Sequence, residues 1–304
     1  MSVRLRLLAP LLFVTGCASP SEDPALGPYR SLVEIVAELG LARDVDLYRF
    51  DAPRDVTGEN VWRATLRRLE NFESLVEDPR FRPALRFAQA ECRERLADFA
   101  TAAALWREVA SLPGAESVEL KETAASRVAL CEELAARTAP VDANEARSPD
   151  DLVRALATQR MALKELLTQH AADPRACLIE CAIERQDVRE REYLWRVRAF
   201  VDDGAQLALD SAQRVIANHV DSRRVHEHRL RLADFYAELA RGYVVAVDPT
   251  QATFDTARAR NLIQAAGRMY AEVAAIDGIP EREEARAGIA SLEALLDRIA
   301  STAP

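Results

Sequence analysis

The segment Ala102–Gly114, AAALWREVASLPG, has a counterpart 164 positions later in Ala266–Gly278, AGRMYAEVAAIDG. Five of the thirteen aligned residues are identical, and the large aromatic residue of each segment, Trp106 or Tyr270, occupies the same position. At the same offset the alignment continues without a gap as far as Thr138-Ala139-Pro140, which align with Thr302-Ala303-Pro304, the last three residues of the sequence. An internal repeat of this kind is typical of proteins built from stacked structural units.

Both segments resemble the second helix of a tetratricopeptide repeat. In that pattern a small residue is followed by an aromatic residue, then by an aliphatic residue, and then by a Gly or Pro that ends the helix. The pattern falls on Ala102, Trp106, Val109 and Gly114, and again on Ala266, Tyr270, Val273 and Gly278. Leu232-Ala233-Asp234-Phe235-Tyr236 resembles the first helix of the same repeat. The resemblance implies antiparallel helix pairs in a solenoid-like array, where small residues allow close approach and the aromatic residue fills the gap beside the next pair.

The resemblance covers less than half of the chain. Arg82–Leu96 matches only with a slip of one residue, and residues 243–253 form a long connection where the family has a short turn. The central stretch 148–218 fits no period of 34 residues, the length of this repeat. We therefore expect one tetratricopeptide-like pair in each half of the chain.

Composition and spacing predict an all-α fold. Ala, Leu, Arg and Glu dominate, Gly is scarce, and no segment alternates in the way a strand would. Caps and apolar spacing predict about eleven helices, at 29–41, 57–76, 82–96, 99–112, 116–137, from 148, from 173 towards 202, and at 204–218, 222–241, 254–276 and 281–300. Arg185–Glu192 is nearly all polar, so the helix that contains it is predicted to protrude or break there.

The predicted helices divide into an N-terminal half, 29–138, and a C-terminal half, 148–304. Residues 139–147 form the predicted linker. Ser148-Pro149-Asp150-Asp151 marks the start of the second half, because Ser caps a helix, Pro suits its first position and acids favour its first turn.

The first 28 residues predict export and a lipid anchor. Residues 1–16 combine two arginines with a short apolar core, which is typical of a secretory signal peptide and too short to span a bilayer. Val14-Thr15-Gly16-Cys17 resembles the bacterial lipobox, and the resemblance implies lipidation of Cys17 and cleavage before it. Residues 17–28 are then a flexible tether. The alternative is a soluble protein whose apolar start happens to precede a cysteine.

Residue 18 and the overall charge bear on where the protein would act. Ala18 follows the cysteine, and by the usual sorting pattern of lipoproteins this favours the outer membrane, with the protein facing the periplasm. The net charge of −9 argues against a nucleic-acid partner, which needs a basic surface.

Four further cysteines, Cys92, Cys131, Cys177 and Cys181, are too few for a disulfide framework in so long a chain. Cys177 and Cys181 lie four apart on one helical face, a spacing typical of buried packing. A disulfide between Cys92 and Cys131 remains open.

No residue pattern predicts a catalytic, cofactor-binding or metal-binding site. His226 and His228 lie two apart, so on a helix they point in different directions and cannot share one ion; we expect a solvated helix start there. No glycine-rich phosphate loop or nucleophile motif occurs. The larger aromatic residues are interpreted as core residues: Trp62, Trp106, Tyr193, Trp195 and Tyr236.

The sequence therefore predicts a non-enzymatic lipoprotein that acts as an interaction scaffold for a protein or peptide partner. Helical arrays bind peptides along a concave face, which Arg93 or Arg127 could line. Two alternatives remain: a structural envelope protein without a peptide groove, and a helical enzyme or metal-binding protein that uses His219, His226 or His228.

Overall fold

The computed structural model describes residues 27–44, 58–75, 78–112, 118–141 and 148–302. Within these ranges the chain is all-α, with eleven α-helices, one short 3-10 helix and no strand, so the all-α prediction is confirmed. The predicted signal peptide, the lipidation site Cys17, most of the tether and most of the linker lie outside the described residues.

The helices are α1 (Gly27–Asp44), α2 (Glu59–Leu75), α3 (Arg82–Arg95), α4 (Phe99–Ser111), α5 (Val118–Thr138), α6 (Pro149–Gln169), α7 (Ala176–Val197), α8 (Gly204–Asn218), α9 (Val225–Ala246), α10 (Thr256–Ala274) and α11 (Glu281–Thr302). The 3-10 helix Pro79–Phe81 precedes α3. The predicted positions agree to within a few residues, and α8 agrees at both ends. The predicted tether ended at residue 28, whereas α1 already begins at Gly27.

Side-chain caps explain several of these boundaries. Ser148 caps α6 as predicted, because its hydroxyl accepts a hydrogen bond from the backbone N–H of Asp151. Helix α9 continues beyond the predicted end at Arg241, since Val244 is buried in the core and Tyr243 stacks on Phe254. Apolar contacts therefore extend α9 beyond the end that the sequence predicted.

The prediction that Arg185–Glu192 protrudes or breaks the helix is wrong. Helix α7 runs without interruption through this segment, and Gln186, Asp187, Glu190 and Arg191 are all almost fully buried. The buried carboxylates have cationic or histidine partners on neighbouring helices, which allows them to lie inside the protein.

Each helix packs mainly on the helices one and two places along the chain. The core consists of four apolar clusters that overlap from one helix group to the next: α1–α3, α3–α7, α6–α10 around Trp195 and Phe235, and α9–α11. The second cluster includes helices from both sides of the predicted linker.

The aligned residues of the two similar segments are buried. Trp106 in α4 and Tyr270 in α10 are buried, as are the small and aliphatic residues aligned beside them: Ala102, Ala266, Val109 and Val273. Gly278 has φ +80°, a left-handed conformation that favours glycine at the end of a helix. Gly114 lies outside the described residues.

Both repeat aromatics also donate a hydrogen bond to a carboxylate on an adjacent helix. The Nε1 of Trp106 donates to Glu94 of α3 at 2.7 Å, and the hydroxyl of Tyr270 donates to Asp234 of α9 at 2.6 Å. Glu94 also accepts from Arg127 at 2.8 Å. Each of the two helix pairs thus contains an aromatic-to-carboxylate hydrogen bond, which the sequence alignment alone does not show.

Gly288 allows α11 to approach the Tyr270 ring. A Cβ at this position would lie 2.6 Å from Cζ of Tyr270, whereas a Cβ at Gly267 would make only an ordinary contact at 3.9 Å with Leu292.

We expect Gly288→Ala to lower the free energy of unfolding by about 1–3 kcal/mol, because the hydrogen-bonded ring must shift. Gly267→Ala is the matched control and should raise it by up to about 1 kcal/mol through helix propensity. Urea denaturation measures both, and equal stability of the two variants would contradict this close approach.

Candidate functional site

A groove of about 950 Å³ opens beside the N-terminal half of α7. One wall carries Trp62 of α2 and Arg95 of α3, and another carries Lys164 of α6. The turn 218–224, between α8 and α9, closes a further side. The groove therefore combines residues from widely separated parts of the chain.

Glu184 of α7 anchors this turn and the start of α9. Its Oε1 accepts a hydrogen bond from the Ser222 hydroxyl at 2.6 Å and lies 2.6 Å from Nε2 of His228. The other ring nitrogen of His228, Nδ1, lies 3.3 Å from Nη1 of Arg191. Because an arginine can only donate, the fitting tautomer of His228 accepts at Nδ1 and donates to Glu184 through Nε2.

Asp187, one turn further along α7, makes a second set of contacts. It accepts from Nη1 of Arg160 at 2.7 Å and from Nε2 of His219 at 2.9 Å. The same Arg160 atom donates to Glu190 at 2.6 Å, and Glu190 also accepts from Arg214 at 2.8 Å. The acids of α7 thus join α6, α8 and α9, and we call this set, with Glu184, Ser222, Arg191 and His228, the α7 polar network.

The α7 polar network lowers the pKa of two of its carboxyl groups, those of Asp187 and Glu184. Burial raises the pKa of Asp187, but hydrogen bonds from His219 and Arg160 outweigh burial, so the pKa lies below its ordinary value. Burial likewise opposes the hydrogen bonds of His228 and Ser222 at Glu184, and the net pKa of Glu184 is again lowered. These carboxylates are suited to holding structure in place.

The network does not have the geometry of a nucleophilic relay. Ser222 and His228 both bind Glu184, so the histidine does not hydrogen-bond the serine that it would have to activate. His228 is also fully buried.

The expectation of a solvated helix start at His226 and His228 is wrong for His228. The three histidines of the proposed alternative site do not converge: His219 binds Asp187, His228 binds Glu184, and the buried Nδ1 of His226 has no hydrogen-bond partner among the described residues. The spacing of Glu184, Asp187 and Glu190 at three-residue intervals is the signal that was missed, because it places successive acids on neighbouring faces of one helix.

The expectation of buried packing is wrong for Cys181, whereas Cys177 is partly buried and packs against the core. Both border the groove, where Cys177 is half-buried and Cys181 is exposed. The thiols of Cys92 and Cys131 are free and buried in two different core clusters, and the Cys131 thiol donates to Glu94 at 3.3 Å. The disulfide that the sequence left open is therefore absent from the structure.

Other residues singled out by sequence lie in the core or outside the groove. Trp62, Trp106 and Trp195 are buried as predicted, although Trp62 also borders the groove. Neither Arg93 nor Arg127 lines the groove: Arg93 pairs with Glu70 and Asp98, and Arg127 pairs with Glu94, a residue that borders the groove.

Within the described ranges, no helix is both long and apolar enough to cross a bilayer, and no three His, Cys, Asp or Glu side chains are grouped as a metal site would require. Comparison with known proteins gave no match, either to a family model or to a curated protein sequence.

We expect Asp187→Asn to lower the free energy of unfolding by about 3 kcal/mol. Arg160 and His219 both bind the Asp187 carboxylate, and the substitution removes the negative charge of that partner. Glu180→Gln is the matched control: it lies on the same helix and borders the same groove, but it is exposed and has no ion-pair partner among the described residues. Its effect should stay within about 0.5 kcal/mol. Urea denaturation at pH 7 compares the two, and similar losses would contradict the role of the network.

We also expect Asp187→Asn to change how the free energy of unfolding depends on pH. Since the pKa of Asp187 is lowered in the folded state, its stabilising contribution is complete above pH 5 and is lost as the pH falls through its ordinary value of about 3.9 towards the lowered one. Asp187→Asn should therefore flatten the decline in unfolding free energy between about pH 5 and pH 3. An unchanged pH slope in the variant would show that Asp187 does not contribute.

Proposed function

We propose that this protein is a lipid-anchored scaffold of the bacterial cell envelope that holds a segment of a partner protein in the groove beside α7. In this proposal the protein binds its partner and catalyses no reaction. The helices form a tetratricopeptide-like array, a proposal supported by the equivalent burial of Trp106 and Tyr270 and by packing between helices close in the chain. Such arrays present concave surfaces to extended ligands.

The groove is the observation that carries this proposal. Its volume of about 950 Å³ lies at the upper end of the usual range for ligand pockets. Lys164, Glu180 and Asp221 border it, and none of the three has an ion-pair partner among the described residues. Val220, beside them, is 57% exposed. Charges of both signs and an exposed aliphatic residue suit a polypeptide of mixed composition.

The groove also favours this proposal over its alternatives. A structural envelope protein without a peptide site would suit a flat polar surface better than this concavity. The metal-binding alternative needs histidine nitrogens that converge, and two of the three histidines are directed at separate carboxylates.

The lipid anchor at Cys17 sets the compartment in which a partner must be sought, and by the sorting pattern this is the periplasmic side of the outer membrane. We expect mass spectrometry of the membrane-extracted protein to find Cys17 as the first residue, carrying a diacylglyceryl group and an acylated amino terminus. Cys17→Ser should remain uncleaved and without lipid. An intact, unmodified amino terminus on protein from the cytosol would contradict the anchor.

Site-specific photo-crosslinking tests the groove. A photoreactive residue at Thr168, which borders the groove, should give a discrete cross-linked partner in intact cells, whereas the same residue at Ser301, exposed on α11, should not. Lys164→Glu should reduce the Thr168 cross-link severalfold by reversing one wall charge, while Arg154→Glu, a charge reversal on the same helix outside the groove lining, should not. Equal products from Thr168 and Ser301, or equal effects of the two reversals, would contradict a partner in the groove.

A further inference from the structure

Two thiols lie together on the side of the groove formed by α7. Cys177 and Cys181 are one helical turn apart, a spacing that brings Cβ atoms to about 5–6 Å on a regular helix. Both border the open groove and both are free. Two thiols at this separation cannot close an unstrained disulfide within the helix, but they can bind a single ion between them.

Arginine side chains lie close to this pair of sulfur atoms. Nη1 of Arg95 lies 3.7 Å from Sγ of Cys177 and donates to it. The guanidinium of Arg95 has no carboxylate partner among the described residues and lies 5.6 Å from the centre of the Trp62 ring. Arg185, one helical turn after Cys181 on α7, carries a second positive charge on this side of the helix and pairs with Glu59 at 3.1 Å. A cation beside each thiol is the arrangement that stabilises sulfur in its charged form.

We propose that Cys177 and Cys181 form a two-thiolate site for a soft monovalent metal ion, with Cu(I) as the ion that fits best. Soft thiolates select Cu(I), which accepts two sulfur ligands without further protein groups. Two S–H bonds break and release two protons to solvent, two Sγ–Cu bonds form, and the oxidation state of copper does not change. The product carries one negative charge, which Arg95 balances.

The two other described thiols are not competitors. Cys92 and Cys131 are sealed in the core, and burial raises the pKa of the Cys92 thiol to about 12 and raises that of Cys131 further. The site borders the same groove as the proposed partner but uses side chains of α7 and α3 alone, so its metal affinity can be measured without a partner.

The test is an anaerobic titration of the full-length protein with Cu(I) against a chromogenic Cu(I) chelator. We expect one Cu(I) per chain, and X-ray absorption should show two sulfur ligands. The double variant Cys177→Ser/Cys181→Ser should weaken binding by about 100-fold or more. Arg95→Gln should weaken it by about 10-fold, because it removes the group that orients and balances the thiolate. Cys92→Ala is the matched control and should bind as the parent protein does, and circular dichroism checks that each variant is folded.

Cys17 is present in every one of these proteins, so any contribution from its thiol cancels in the comparison. Unchanged affinity in the folded double variant, or a copper ion coordinated mainly by nitrogen and oxygen, would overturn the proposal. Equal loss in Cys92→Ala would also overturn it, because the bound thiols would then not be those of the groove.

Discussion

The structure depends on the burial of ionised side chains along α7. Placing a carboxylate inside a protein is costly unless cations and hydrogen-bond donors surround it. Glu184, Asp187 and Glu190 each have such partners, and the partners come from α6, α8 and α9. Each of the three carboxylates has two partners, so these directional contacts fix the relative positions of the helices more specifically than apolar contacts alone.

The groove follows from this constraint. The turn 218–224 has no apolar core of its own, and it is held by His219 and Ser222, which bind Asp187 and Glu184. Because the turn forms one side of the groove, the α7 polar network shapes the proposed binding surface, and Glu184 and Asp187 themselves border it. On the opposite side, the ion pair between Arg185 and Glu59 links α7 to the first turn of α2 at 3.1 Å. Two sides of the groove, the turn 218–224 and α2, are thus both connected to α7.

Much of the fold could be predicted from the sequence because its signals are local. Ser148 and Pro149 place the start of α6, and the Ala–Trp–Val and Ala–Tyr–Val spacings identify helices with equivalent core positions. The candidate site could not be predicted in this way. Glu184 and His228 are 44 positions apart, and Asp187 and Arg160 are 27 apart, so a polar run that meets partners in space has the same local pattern as one that faces water. Cys181 was misassigned for the same reason, since helical spacing does not reveal whether a groove or a core lies opposite.

Hydrogen–deuterium exchange of the α7 backbone amides tests the central claim most directly. If α7 is a continuous buried helix held by its paired charges, the amides of 185–192 should exchange as slowly as those of 178–183, through unfolding of the whole protein. Exchange of 185–192 within seconds, while 178–183 remains protected, would show that the polar segment is exposed or broken and would contradict this account.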